Sequence, residues 1–283
     1  MMNQRYVLNF SAPSQQGQVS ELTSILENHG AYIEQFSVFD DAHSQHFYVR
    51  CVFQIHEHEL MPLQNQYQQF ILRQDAEGHI WDLSQPTKVL ILVSKTDHCL
   101  HTLIGATKLG GLNMAIVGIA SNHLDLKPTA DHHNIPYHYL PVNNDNRAQQ
   151  EQQILALKDQ LNAEFVVLAR YMQILSPETC QRLSQQAINI HHSFLPGFRG
   201  ARPYEQAHER GVKLIGATAH FVTPDLDEGP IIEQGVERVD HAHSPQDLLR
   251  TGRHSESMVL ERALQYVLER RVFINVDKTV VLK

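Results

Sequence analysis

The chain has 283 residues, which at roughly 100–200 residues per domain allows one large domain or two unequal ones. Its 23 Lys and Arg against 31 Asp and Glu leave a formal charge of −8 and a pI near 6.1, which argues against a general nucleic-acid binder. No apolar run nears the roughly 20 residues of a membrane span, no signal-type leader opens the sequence, and three scattered cysteines (Cys51, Cys99, Cys180) make neither a disulfide framework nor a thiolate metal site. The expectation is a soluble cytoplasmic protein with no membrane or nucleic-acid partner.

Two segments differ in character. Arg5–Ser11 reads as a strand, and Gln18–His29 as a helix with Val19, Leu22, Ile25 and Leu26 at helical spacing, stopped by Gly30. Strands over Ala31–Val38 and Gln45–Gln54 follow across an Asp40-Asp41 turn, completing a small β-α-β-β unit. A helix is predicted over His58–Gln74, broken by Asp75–Gly78, and Ser84-Gln85-Pro86 reads as a linker.

From Lys88 on, short apolar strands alternate with helices. The strands are Val89–Val93, Met114–Ala120, Pro136–Pro141, Phe165–Leu168 and Ala187–Ile190; the helices are Cys99–Lys108, Pro128–His133, Arg147–Leu161 and Pro177–Leu183. This predicts a mostly parallel sheet covered on both faces. Lys213–Val222 and Pro230–Val239 form an expected antiparallel pair at its edge, and a helix over Pro245–Glu269 with a strand over Thr279–Leu282 completes the second domain. The division is therefore residues 1–86 and 87–283.

Ligands of open α/β sheets sit beyond the carboxyl ends of the strands. Three polar segments meet that description: Asn189–Pro196, Thr223–Pro230 with three acids, and Ala169–Pro177. Strand alternation puts Asn189 and His191 on one side. Nineteen histidines invite a metal reading, but the pairs His56/His58, His132/His133, His191/His192 and His241/His243 have neither H-E-x-x-H spacing nor a nearby Cys pair, so no metal is expected.

The run N-I-H-x-S-x-L-P from Asn189, followed by H-F-V-T-x-x-L-D-x-G-P from His220, resembles the folate-dependent formyltransferase family. Gly200–Gln234 and Ser94–Leu100 (SKTDHCL) resemble its hydrolytic branch, and the N-terminal unit resembles an ACT domain, which has a ferredoxin-like fold. The resemblance implies a small ferredoxin-like domain followed by a Rossmann-like catalytic domain. It also implies hydrolysis of 10-formyltetrahydrofolate, supplying formate for purine synthesis and balancing the folate pool. The folate is the substrate, and no separate cofactor is implied. Asn189, His191 and Asp227 fall on the family's catalytic positions, Asp227 being favoured over Asp225. Met172, Gln173, Ile174 and Leu175 match its pterin-binding segment, facing a wall that starts at Thr223, and His220 falls on a position that organises the site. The ACT likeness implies a homo-oligomer, dimer or tetramer, and an amino-acid effector. Ser14-Gln15-Gln16 replaces the usual charged turn residues, so assembly is the plainer role.

Two departures and one absence stand out. His192 occupies a position that is often Pro in the transferases, and His254 stands where the hydrolytic branch commonly has an acid. A transferase acting on a phosphorylated acceptor needs a Gly-rich anion cradle after its first strand. Here the strand runs into Ser94–Cys99 with no glycine, which favours water as acceptor. The alternatives are a transferase with a non-nucleotide acceptor and an inactive folate sensor.

Overall fold

A computed structural model describes residues 4–195 and 203–283. Pro196 and Gly200–Arg202 of the quoted motifs lie outside the described residues. The chain divides into two compact units, one of residues 1–86 with 269–283, the other of residues 87–268.

The first unit opens with β1 (Gln4–Pro13), α1 (Gln18–Asn28), β2 (Tyr32–Asp41), β3 (His46–Ile55), α2 (Glu57–Arg73) and β4 (Glu77–Asp82). Gly17 caps α1 at φ 93°, a left-handed conformation that favours glycine. The sheet is antiparallel in the order β2-β3-β1-β4, the ferredoxin-like arrangement, and the apolar stripes of both helices pack on it. Sequence reasoning missed β4. It is short and only partly buried, and it follows directly on the polar break at Asp75.

The second unit contains β5 (Thr87–Val93), α3 (His98–Lys108), β6 (Met114–Ser121), α4 (Lys127–His132), β7 (Tyr137–Tyr139), α5 (Arg147–Gln160), β8 (Phe165–Leu168), α6 (Pro177–Arg182) and β9 (Ala187–His191). It continues through α7 (Pro203–Glu209), β10 (Leu214–Phe221), β11 (Ile231–Arg238) and α8 (Pro245–Leu268). The seven strands run β11-β10-β9-β8-β5-β6-β7, parallel from β9 to β7, with β10 antiparallel to both β9 and β11. The β5 and β8 strands are continuous apolar runs because both faces are covered.

The C-terminal residues correct the expected 87–283 domain. After α8 the chain forms a hairpin, β12 (Val272–Asn275) and β13 (Lys278–Val281), that belongs to the first unit. Phe273 packs on Tyr48, the buried Asn275 donates to Asp41 Oδ2 at 2.6 Å, and Arg50 donates to the Glu269 carbonyl at 2.8 Å. Buried polar groups on β2 and β3 thus find their partners more than 200 residues later, a pairing that local pattern cannot reveal.

Candidate active site

A cavity of about 330 Å³ opens beyond the carboxyl ends of β8 and β9. All nine residues singled out above line it. Asn189 and His191 alternate with Ile188 and Ile190, which are buried. On β10, His220 sits directly opposite Asn189 and Thr218 opposite His191. A bulge against β11 between Ala219 and His220 re-aims the strand where it meets the cavity.

Four side chains form a connected set. His220 Nδ1 lies 2.8 Å from the Phe221 carbonyl, which can only accept, so Nδ1 carries the proton. Nε2 of the same ring then accepts from Asn189 Nδ2 at 3.2 Å, leaving the second amide N–H of Asn189 for a ligand. Asp227 Oδ2 is 3.1 Å from His191 Nδ1, and its Oδ1 is 3.7 Å from His220 Nε2, beyond hydrogen-bond reach. Burial works to raise the Asp227 carboxyl, but the hydrogen bond from His191 and the attraction of that imidazole outweigh it and hold the group well below the usual carboxylate range. His191 Nε2 is buried and has no hydrogen-bond partner among the described residues. Asp225 is exposed, while Asp227 faces the site from a left-handed φ of 58°.

The third segment forms the other wall. Met172 and Ile174 are 57% and 56% exposed at the rim, while Leu175 is buried below them. The Met172 amide donates to Ser94 Oγ at 3.0 Å, and Arg147 donates to the Ile174 carbonyl at 2.7 Å. Thr223 donates to the Asp225 carbonyl at 3.0 Å, folding the acidic loop back on itself. Ser94 also donates to Asn122 at 2.9 Å, so this hydroxyl after β5 is buried and committed within the protein.

Residues 87–264 match the formyl transferase family model. The chain belongs to that family. Within it, the chain is 42% identical to the formyltetrahydrofolate deformylase of Corynebacterium sp. (strain P-1), covering 99% of this chain and 98% of that one. A formyltetrahydrofolate deformylase crystal structure from Burkholderia mallei superposes with a TM-score of 0.96 at 51% identity, covering 99% and 100% of the two chains. A phosphoribosylglycinamide formyltransferase from Coxiella burnetii reaches a TM-score of 0.65 at 26% identity and covers 70% of this chain and 94% of its own.

Beside the formyl transferase motifs lies a buried ionic cluster that sequence reasoning did not assign. Glu256 on α8 is 1% exposed. Its carboxylate meets His98 Nε2 at 2.8 Å, Tyr204 Oη at 2.7 Å and Arg170 Nε at 3.3 Å. His98, Cys99 and Glu256 bring ligand-type atoms within 4.8 Å of one another. The carboxylate is already committed to these partners, a guanidinium stands beside it, and burial pushes the Cys99 thiol up to about 12; these features describe an ion-pair network rather than a metal centre. His254 is exposed on α8, two residues away, and does not line the cavity. The available signal was Glu256 itself, which lies at helical spacing with Gly252, Val259 and Leu260 on the buried face.

Proposed function

We propose that this chain hydrolyses 10-formyltetrahydrofolate to formate and tetrahydrofolate. The observation that carries this reading is His191 Nε2, buried and unpartnered among the described residues, in a cavity whose neighbouring polar walls are Asn189 and Asp227. Water adds to the formyl carbon and the carbonyl becomes an oxyanion, held by the free Asn189 N–H and by Nε2–H of a protonated His191. Asp227 orients that imidazole and takes the water's proton, directly or through a relay. Collapse breaks the C–N bond, N10 takes the proton that Asp227 removed from the water, and formic acid leaves and gives up its own proton to solvent as formate. Met172, Gln173, Ile174 and Leu175 serve as the pterin slot, facing the wall from Thr223 to Asp227, and His220 fixes the Asn189 amide. The committed Ser94 hydroxyl and the lack of glycine before α3 favour water over a phosphorylated acceptor.

The purified chain incubated with 10-formyltetrahydrofolate alone should release formate and tetrahydrofolate in equal amounts. Binding without release would instead support a transferase or a sensor, which added acceptors would separate. The formyl transferase unit acts on this reading within a dimer or tetramer assembled through the N-terminal unit, where an amino-acid effector would meet the uncharged turn Ser14–Gln16. Light scattering on the intact chain checks the assembly, and a monomer would end that part of the reading.

Among the described residues, no helix is long and apolar enough to cross a membrane.

A further inference from the structure

We propose that Glu256 and Arg170 are positioning residues of the reaction, holding His192 as an uncharged ring with its proton on Nε2 so that His191 alone carries positive charge beside the formyl group. The inference rests on the hydrolytic reading of the cavity.

Arg170 Nη1 lies 2.7 Å from His192 Nδ1. A guanidinium only donates, so Nδ1 must accept and cannot hold a proton at the same time. The ring is then neutral, and its single proton sits on Nε2. His192 lines the cavity and stacks on His191 with ring centroids 4.9 Å apart and planes 24° apart. A second cation in that stack would oppose the charge that His191 needs to hold an oxyanion.

The neutral state is built from several elements. Arg170 follows β8 at a left-handed φ of 64°, which brings its side chain back between β9 and α8. Glu256 compensates its charge and is in turn held by His98 from the start of α3 and Tyr204 from α7. The charged groups facing His192 are Arg170, His191, Glu256 and Asp227. Burial, then Arg170 and His191, push the His192 ring down to about 4 against the weaker pull of the two carboxylates.

The test joins a spectroscopic readout of the unliganded protein to kinetics. Imidazole nitrogen NMR should show wild-type His192 neutral, with the proton on Nε2, from about pH 5 to 8. In Arg170→Met its titration midpoint should rise by about one pH unit or more. The acid limb of the kcat profile should move up with it, so that kcat at about pH 5 falls about twofold or more while kcat at pH 7 and KM stay within about threefold. Arg170→Lys, which restores a cationic donor, should recover much of both and serves if the Met variant does not fold. A wild-type His192 that titrates near its ordinary value overturns the proposal, as does an Arg170→Met enzyme with the wild-type pH profile. Wild-type protein that releases no formate removes the hydrolytic reading, and with it the catalytic role given to Arg170 and Glu256. The NMR arm then still decides the His192 tautomer.

Discussion

Asp227 must be an anion and must also bend the chain. Its φ of 58° is a conformation that Asn and Asp tolerate better than most residues. Asparagine at this position therefore keeps the loop while removing the charge and the proton acceptor. In Asp227→Asn, turnover should fall by about 10²–10⁴, with folate affinity changed by less than about threefold, since Asn keeps the fold of the loop that faces the pterin slot. Single-turnover formate release and equilibrium folate binding check the two halves, and near-normal turnover would remove Asp227 from the chemistry. Asp227 was legible from the sequence because its motif distinguishes it from Asp225. Its partners' tautomers were not, because they depend on the Phe221 carbonyl and on the pairing of β9 with β10.

At the scale of elements, the site is a product of strand register. Alternation along β9 showed that Asn189 and His191 share a side. That His220 would lie opposite Asn189 required the antiparallel pairing of β10, which two separate apolar runs do not specify. The turn from β10 to β11 depends on Gly229. A Cβ there would stand 1.8 Å from the Phe221 carbonyl oxygen, the same atom that fixes the His220 tautomer, and 3.2 Å from His220 Nδ1. Gly229→Ala should therefore displace the turn carrying Asp227, cost on the order of 1–3 kcal/mol of stability and lower kcat more than Gly→Ala in an open loop would. Urea unfolding alongside kinetics checks this; an unchanged midpoint and unchanged kcat would mean the backbone gives way freely. The same dependence on tertiary pairing explains why α8 was legible as a helix while the role of Glu256 was not. Its partners come from α3, α7 and the loop after β8, all distant in sequence.

For the whole molecule, the buried ionic groups make stability depend on pH in two windows. An unfolded histidine titrates near 6.5, and folded His192 is pushed down to about 4. Between those values the unfolded chain binds the extra proton and the folded one does not, so stability rises with pH across the window and is lost on acidification through it. The shift corresponds to about 2–3 kcal/mol once the ring's partial exposure is allowed for. Asp227 and Glu256 have folded values held below the ordinary carboxylate range, against the raising effect of burial, by their imidazole, guanidinium and hydroxyl partners. Their contribution is complete above that range and is lost only as pH falls below it. The first loss of stability on acidification, from about pH 6.5 to 4, is thus assigned mainly to His192, with a smaller share from His133 and His138, which burial also lowers, and the carboxylates follow at lower pH. His192→Gln separates the two, because its amide oxygen can still accept from Arg170 and does not titrate. Urea midpoints measured between about pH 7 and 4.5 should fall less steeply in this variant than in the wild type. Parallel slopes would mean that the first window belongs to other histidines and that the Arg170–His192 contact does not exclude the proton.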